Sequence, residues 1–332
     1  MLKVGMIGCG GISGTHDNGW HEVERQGKAR LVATADVVEV RAKERAAQLS
    51  AEKYYTDYME ILKRDDIDAV DIMLPHYLHR EATVKAAEHG KHVMCIKPMA
   101  RTLEEGREMI QACKENKVIL AIGHMSRFKT EYIKTKELID KGVLGKMFLV
   151  RIMYGFYPGL KDFHYKKDLI GGGVLISTGT HILDIMNWFV GDVKTVSYAG
   201  NSMIRGMEGE DTAAVALEYE NGAVGVLMCS WATRGLVETF WIHGSDGTLT
   251  TEDSVQFIDN DGKVTKYETQ PVDSFGKKVE HFVDCLINKT ESTIISGMDG
   301  YKSMEVALAA YKSGEEKKII SLSELRQIVF GC

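Results

Sequence analysis

The sequence lacks an excess of basic residues. It contains 41 Lys and Arg against 47 Asp and Glu, a formal net charge of -6 at pH 7. Because binding that tracks the phosphates of nucleic acid needs clustered Lys and Arg, this balance argues against a nucleic-acid partner. The composition also lacks the bias of disordered, fibrous or membrane-spanning chains, since 44% of the residues are hydrophobic and 27% are charged. We therefore expect a soluble globular protein with no membrane partner.

The cysteines lack close pairs, and the N-terminus lacks a secretion signal. No CxxC occurs, so neither a disulfide framework nor a zinc site is predicted, and we expect no metal. The first apolar stretch is too short for the hydrophobic part of a signal and runs into glycines. These features favour the cytoplasm. The scattered cysteines are Cys9, Cys95, Cys113, Cys229, Cys285 and Cys332.

A chain of 332 residues is long for one hydrophobic core, and its pattern changes near residue 123. Before that point short apolar runs alternate with helical segments, which predicts an α/β domain, residues 1–123, with a doubly wound parallel sheet of the Rossmann type. Strands are predicted at 2–7, 30–35, 69–74, 92–96 and 118–122, and helices at 40–49, 80–89 and 103–115.

After residue 123 several strands follow one another, separated by turn signals such as Glu220-Asn221-Gly222. This predicts an α+β domain, residues 124–332, with a mostly antiparallel open sheet that binds substrate and supports oligomerisation. Helices are predicted at 132–140, 174–190, 277–288 and 298–313, and strands at 147–153, 193–199, 213–219, 223–230, 238–243, 248–252 and 255–258.

A glycine-rich turn follows the first predicted strand and opens a helix. Gly8 and Gly10 occupy the first two positions of the G-x-G-x-x-G pattern, Gly11 and Ile12 follow, and the small Ser13 stands third. The first Gly permits a tight turn, and the second lets the backbone approach a pyrophosphate at the helix N-terminus, where N–H groups favour anions. The pattern alone is often just a turn, but its position between strand and helix predicts a dinucleotide site.

An acid ends the next predicted strand. Asp36 is placed to accept hydrogen bonds from the adenosine ribose and to repel a 2′-phosphate, which favours NAD over NADP. Arg41, early in the following helix, could lean over a 2′-phosphate, or it is simply an exposed helix residue. NAD is the predicted cofactor, with NADP the less favoured alternative.

Four further stretches, residues 66–79, 90–98, 171–173 and 179–184, complete a recognisable set with the glycine turn. With them the chain resembles, from end to end, the Gfo/Idh/MocA oxidoreductases, which include glucose–fructose oxidoreductase and inositol 2-dehydrogenase. The resemblance implies a cofactor site beside the nicotinamide at the carboxyl ends of the strands. The residues implied there are Leu74, Pro75, His76, His79, Lys97 and Pro98.

The resemblance also implies the catalytic groups. Lys97 would touch both the cofactor ribose and a substrate hydroxyl, and His181 would be the second group. Without the family, Lys97 reads as a solvated loop lysine and His181 as a hydrogen-bonded helix histidine. Removing a hydride from a carbinol carbon also requires a base for the hydroxyl proton, and a Lys or His near neutrality suits that task.

Two acids of the family pattern are missing. Ile96 stands where Glu usually precedes Lys-Pro, and Ser177 stands where Asp usually lies four residues before His181. Losing an acid removes a cause that raises the pKa of a neighbouring base. Ser177 may orient the reacting groups while ordinary dehydrogenation continues, which we favour. Alternatively, an anionic sugar is accommodated, or the site runs transient oxidation and elimination, as in NAD-dependent glycosidases.

Other residues are weaker candidates for the substrate pocket. His124 and Arg127 lie where the first domain passes into the second, although Arg127 could simply tie the domains together. His164, Tyr165 and Lys166 precede the glycine run, and otherwise form an exposed polar loop. Thr180 adjoins His181, and Asp184 could orient it or make an unrelated hydrogen bond.

The predicted activity is a sugar or cyclitol dehydrogenase acting on a small sugar or polyol. A non-catalytic dinucleotide-binding regulator is the alternative from another class, and retention of both Lys97 and His181 speaks against it. By family analogy the open sheet predicts a homodimer or homotetramer.

Overall fold

A computed structural model describes residues 1–251 and 254–330. In the first part of the chain, the apolar runs form buried strands that alternate with helices, as predicted. Strands β1 to β6 are Leu2–Ile7, Ala29–Ala35, Lys53–Tyr55, Ala69–Ile72, His92–Cys95 and Leu120–Ile122. Helices α1 to α5 are Asp17–Arg25, Glu39–Gln48, Met59–Leu62, His79–Glu88 and Leu103–Glu115. Short 3₁₀ turns are Ser13–His16, His76–Leu78 and Met125–Phe128.

These six strands form one parallel sheet in the order β3-β2-β1-β4-β5-β6, which confirms the predicted Rossmann topology. The order reverses between β1 and β4, so the carboxyl ends of these strands border the crevice where open α/β sheets bind ligands. The sequence analysis did not predict β3 or α3. β3 has only three residues, which are exposed or half-buried, so it carries no apolar signal.

The later part of the chain is α+β. Strands β7 to β15 are Met147–Gly155, Val193–Asn201, Thr212–Tyr219, Val224–Ser230, Val237–Gly244, Gly247–Thr250, Val255–Asp259, Val264–Tyr267 and Ile320–Ser321. Helices α6 to α11 are Thr130–Asp140, Lys167–Ile170, Thr180–Val190, Ser274–Asn288, Gly297–Glu316 and Leu322–Phe330. Of the predicted strand 248–252, Glu252 lies outside the described residues, as does Cys332.

The described part of β7 to β15 forms a nine-stranded sheet in the order β14-β13-β12-β11-β7-β10-β9-β8-β15. Neighbouring strands within it run antiparallel except for β7 and β10, which are parallel. This confirms the predicted mostly antiparallel sheet. A stretch in this part, Lys167–Val190, is long and apolar enough to cross a membrane, but 83% of its apolar window is buried, as in a core helix.

The predicted α-helix over 174–190 is wrong in its first turns. Leu175–Gly179 is a π-helix, and α8 begins only at Thr180. The physical reason lies outside the segment: the Glu210 carboxylate accepts from the Leu175 amide at 2.8 Å, and the Tyr311 hydroxyl accepts from the Ile176 amide at 3.1 Å. These partners hold amides at the start of the helix, and π turns are frequent at functional sites.

The contacts divide the chain into two compact units, and differently from the single boundary predicted at residue 123. The first unit comprises residues 1–100, 104–128 and 273–301, and the second comprises 101–103, 129–272 and 302–332. Helix α9 belongs to the first unit because its apolar face, with Val279, Phe282 and Val283, packs in one core cluster with Val4 and Trp20. That burial stabilises the nucleotide-type sheet with residues from the far end of the sequence.

Candidate active site

The glycine turn after β1 has the conformation that a dinucleotide-binding loop requires. Gly8 has φ +94°, and a Cβ added there would lie 2.4 Å from the carbonyl oxygen of Met73. Its amide donates to the Ala35 carbonyl at 2.8 Å. Only glycine fits this position, since any side chain would collide with backbone.

The space beside the next two glycines is open. A Cβ added at Gly10 or Gly11 would meet no atom within 4 Å. Ser13 closes the turn, since its hydroxyl donates to the Gly10 carbonyl at 2.7 Å and its amide donates to the same oxygen at 3.0 Å. Ile12, between them, is exposed. Room for a ligand against bare backbone at the mouth of a helix fits a dinucleotide pyrophosphate.

Asp36 is held against this turn. Its carboxylate accepts from the Cys9 amide at 2.9 Å and from the Val38 amide at 2.9 Å. Arg41 is exposed. The cation near the turn is instead Arg45, which sequence analysis did not single out: it pairs with both carboxylate oxygens of Asp17 at 2.8 and 2.7 Å, and its Nη2 lies 3.4 Å from a Cβ added at Gly14.

The loop after β4 is fastened to the loop after β5 by His79. Its Nε2 lies 2.7 Å from the Leu74 carbonyl and its Nδ1 lies 2.9 Å from the Pro98 carbonyl. The ring is fully buried, and burial lowers its pKa. His79 is thus a positioning residue for both loops. Pro75 is half-buried between them, and the His76 ring lies 5.7 Å from the His79 ring, centroid to centroid.

Lys97 stands directly after β5, half-buried, and a cis peptide bond joins it to Pro98. Desolvation by the surrounding protein, and then the positive charge of Lys278, lower the pKa of Lys97 to about 8. An ordinary lysine is almost wholly protonated near neutral pH, whereas a shift of this size leaves a useful fraction as the neutral amine. Lys97 can therefore serve as a base.

His124 and Arg127 follow β6 and are buried. Burial, and then the charge of Arg127, lower the pKa of His124 to about 3, so its ring is neutral. Arg127 donates to the Ile294 carbonyl at 2.5 Å and pairs with Asp299 at 3.0 Å. These contacts fasten the turn after β6 to the segment before α10, within the first unit.

The sequence analysis missed a buried polar network in the first unit, formed by His16, Trp20, Asp71 and Lys278. His16 Nδ1 lies 2.7 Å from Asp71 Oδ2, Trp20 Nε1 donates to the same oxygen at 2.9 Å, and Lys278 Nζ lies 2.8 Å from His16 Nε2. A signal was present: Asp71 interrupts a fully buried strand, and Lys278 lies on the apolar face of α9. Charges in such places are rarely tolerated without partners.

In the second unit, the glycine run 171–173 packs directly against Glu210. A Cβ added at Gly173 would lie 2.1 Å from the Glu210 carbonyl oxygen. The Tyr311 hydroxyl donates to the Glu210 carboxylate at 2.7 Å and accepts from the Gly173 amide at 3.1 Å. Burial raises the pKa of Glu210. This pair holds the chain that leads into the π turn.

The π turn and α8 carry the candidate residues of the second unit. Ser177 is buried within the π turn, and its neighbour Thr178 accepts from Trp231 Nε1 at 2.8 Å. His181 is half-buried on the first turn of α8. Thr180 is fully buried and its hydroxyl donates to the Ile176 carbonyl at 2.8 Å, which is a local helix contact. Asp184 is buried one turn later.

The loop before the glycine run holds the remaining predicted residues. His164 Nδ1 accepts from the Lys161 amide at 2.9 Å, and its ring meets Trp231 edge-on with centroids 5.7 Å apart. The Tyr165 carbonyl accepts from the Glu208 amide at 3.0 Å. Lys166 pairs with the Glu208 carboxylate at 2.6 Å on the surface. His164 thus shares Trp231 with the π turn. Among the described residues, no three His, Cys, Asp or Glu side chains are grouped to hold a metal.

Comparison with known proteins identifies relatives along nearly the whole chain. A family model described as an oxidoreductase family, NAD-binding Rossmann fold, matches residues 2–124, and the GFO/IDH/MocA C-terminal domain matches residues 132–250. A myo-inositol 2-dehydrogenase of Thermotoga maritima is 29% identical, over 98% of this chain and 99% of its own. A scyllo-inositol 2-dehydrogenase (NAD+) of Bacillus subtilis is 29% identical over 86% of both chains.

A solved structure supports the same relationship. The aldose-aldose oxidoreductase from Caulobacter crescentus, crystallised with glycerol, aligns with a TM-score of 0.87 and 26% identity, over 96% of this chain and 99% of that chain. These relatives act on different sugars and cyclitols, so the likeness extends to the type of chemistry.

Proposed function

We propose that this chain, which belongs to the Gfo/Idh/MocA family of NAD-binding oxidoreductases, transfers a hydride between NAD and a secondary hydroxyl of a sugar, sugar derivative or cyclitol. The observation that carries the proposal is the open glycine turn with the Asp36 carboxylate fixed beside it. When bound, the nicotinamide ring accepts or supplies the hydride.

NAD is the proposed cofactor, rather than NADP. The Asp36 carboxylate accepts two backbone amides and keeps further lone pairs for ribose hydroxyls. The same charge would repel a 2′-phosphate, and Arg45 is engaged with Asp17. Calorimetry should find NAD binding at least tenfold tighter than NADP, a difference of about 1.4 kcal/mol, and the Asp36→Ser variant should narrow it. Equal affinities in the parent protein would contradict the proposal.

Proton transfer is assigned to Lys97 and His181. As the substrate carbon gives up its hydride, its hydroxyl proton passes to the neutral Lys97 amine, whose lowered pKa supports this role. His181 is the second proton-transfer group, by likeness to the family, and Ser177 orients them in place of the missing acid. In the reverse direction the same groups return the proton and polarise a carbonyl.

An acidic sugar is a specific form of the substrate that one observation favours. The guanidinium carbons of Arg205 and Arg234 lie 3.9 and 3.8 Å from the ring centre of Tyr157. Arg205 also donates to the Trp231 carbonyl at 3.0 Å, which connects this pair to the π turn. Two cations around one ring, with Ile96 and Ser177 replacing acids, suit a carboxylate better than two carboxylates would. Uronates should therefore turn over faster than the matching neutral sugars, and an unbiased panel would remove this form of the proposal.

The decisive experiment assays two reactions in parallel. Net NADH formation with a panel of polyols, uronates and cyclitols supports the dehydrogenase. Cleavage of aryl glycosides without net NADH would instead support transient oxidation and elimination. Binding of NAD with neither reaction would favour the non-catalytic regulator.

We also propose a homodimer or homotetramer. On the outward face of β10, Val224, Val226 and Met228 are 48, 36 and 45% exposed and alternate with buried residues. Exposed apolar rows of this kind are typical of association surfaces. Light scattering coupled to size exclusion measures the assembly, and Val226→Lys should weaken it.

A further inference from the structure

A second buried lysine lies close to Lys97. Lys278, on α9, is 1% exposed. A Cβ added at Gly123, just after β6, would lie 3.2 Å from its Nζ and 3.2 Å from the Ile96 Cα. The ammonium group therefore sits against the backbone immediately before Lys97, where β5 and β6 end.

This ammonium group is connected to a buried acid through one histidine. Because an ammonium only donates, His16 Nε2 accepts from Lys278 at 2.8 Å, and His16 Nδ1 then donates to Asp71 at 2.7 Å. Trp20 fixes the same carboxylate oxygen. The network thus holds a cation at one end and an anion at the other, with a neutral histidine between them.

Stability alone is a poor reason for this network. Asp71 lies within a strand buried along its whole length, and Lys278 neighbours the apolar Val279 and Phe282. Replacing buried ion networks by apolar residues is often neutral or stabilising. Buried charges grouped beside a candidate base more often serve chemistry.

The groups facing both lysines define their charge state. His79 on α4 and His124 after β6 act on Lys97 or are acted on by it, and burial lowers the pKa of both rings, so they stay neutral. Lys278 is the charged neighbour that acts on Lys97. Lys278 itself faces His16, Asp71 and Asp273; burial lowers its pKa to about 8, while the two carboxylates oppose this shift.

We propose that Lys278 is a positioning residue that keeps Lys97 in the neutral, proton-accepting form. The His16–Asp71 pair retains the proton on Lys278, and the resulting positive charge disfavours a second proton on Lys97. Members of the family with Glu-Lys-Pro have an acid beside the lysine; this chain has Ile96 there and a cation nearby, so the sign of the charge effect is reversed. The use of Lys97 as a base rests on the proposed function, whereas the charge coupling does not.

The coupling is measured by NMR on the full-length protein without nucleotide, labelled with [13Cε]lysine. The Lys97 signal is assigned with Lys97→Met and titrated with pH. Lys278→Met should raise the Lys97 midpoint by about one pH unit or more, as expected for losing a nearby buried charge, and Lys278→Arg should leave it near the parent value. Asp71→Asn, which keeps the shape of the side chain, should also raise it, because Lys278 then loses its proton more readily.

Lys91 provides a matched control in the same unit. It is buried, and its Nζ donates to the carbonyls of Arg64 and Ile67 at 2.7 and 2.9 Å, without an item of charge acting on Lys97. Lys91→Met should leave the Lys97 midpoint unchanged. An unshifted midpoint in both folded Lys278→Met and Asp71→Asn, or an equal shift in Lys91→Met, overturns the proposal.

Kinetics give the second readout. In Lys278→Met the acidic limb of kcat/KM should move to higher pH by the same amount as the NMR midpoint, with activity about tenfold lower per unit below that limb and recovered above it. A purely structural role would lower activity by one factor at every pH. If the parent protein shows no dehydrogenase activity but the NMR shift is found, the proposed function fails and the coupling stands.

Discussion

The two units bury charge in different ways. In the first unit, Asp71, His16 and Lys278 form a hydrogen-bonded line near Lys97, and both lysines have pKa values lowered to about 8. In the second, Glu210 is held by the Tyr311 hydroxyl and the Leu175 amide. Groups that titrate near neutrality can exchange protons with a substrate, whereas an acid bound by fixed donors holds backbone in place. Substitutions in the first network should change pH dependence, and those in the second should change stability.

The largest effect that would test this contrast is expected at Lys97. Lys97→Met removes the base, so kcat should fall by roughly 10²- to 10⁴-fold, while calorimetry still detects NAD binding. Lys91→Met, at another buried lysine of the same unit, should keep activity within a few fold. Loss of activity no greater than in that control would assign proton transfer elsewhere.

A second test adds one methyl group to the glycine run of the second unit. Gly173→Ala places Cβ 2.1 Å from the Glu210 carbonyl, and such overpacking should lower the free energy of unfolding by about 1–3 kcal/mol. Thermal unfolding measures this. Gly159→Ala, whose Cβ would meet nothing within 4 Å, is the control, and similar loss in both variants would show that the run is not tightly packed.

Removing one hydroxyl should have a smaller effect. Tyr311→Phe deletes the acceptor of the Gly173 and Ile176 amides and the donor to Glu210. Unsatisfied buried groups of this kind should lower stability by about 1–2 kcal/mol. Urea unfolding gives the value, with Tyr77→Phe, on the exposed turn after β4, as the matched variant. An unchanged unfolding midpoint would mean that the hydroxyl does not hold the π turn.

The smallest effect is a dependence on pH. Since burial raises the pKa of Glu210 in the folded state, its contribution to stability is present below the ordinary glutamate pKa and is lost as pH rises through the folded value. Glu210→Gln keeps an acceptor oxygen and should lack this loss, so the variant should gain on the parent between about pH 4 and pH 8. Glu208→Gln, an exposed acid whose pKa is lowered by Lys166, should show no such gain. Parallel stability curves for parent and Glu210→Gln would contradict the assignment.

Much of the fold was predictable because burial of parallel strands leaves continuous apolar runs. β5 was predicted at 92–96 and is His92–Cys95, and α5 was predicted with its observed ends. Short strands such as β3 and β14 escaped because they expose most of their side chains. The π turn escaped because its amides find partners 35 and 135 positions away in sequence, which local periodicity does not register.

The candidate site divides in the same way. The turn from Gly8 to Ser13 and its link to Asp36 follow from spacing, because strand, turn and strand end are neighbours in any parallel sheet of this order. The line from Asp71 to Lys278 joins residues 55 and then 262 positions apart. An acid inside an apolar strand and a lysine on an apolar helix face announce that partners exist, but only the folded chain pairs them.

The return of residues 273–301 to the first unit has a consequence for synthesis. Val279, Phe282 and Val283 complete a core that Val4 and Trp20 begin, so the earliest part of the chain to leave the ribosome cannot finish folding until almost the last part has followed. A fragment ending at residue 128 would present a bare apolar surface and should aggregate, whereas adding a separate peptide of residues 273–301 should restore its solubility. The nucleotide half is thus made first and completed last.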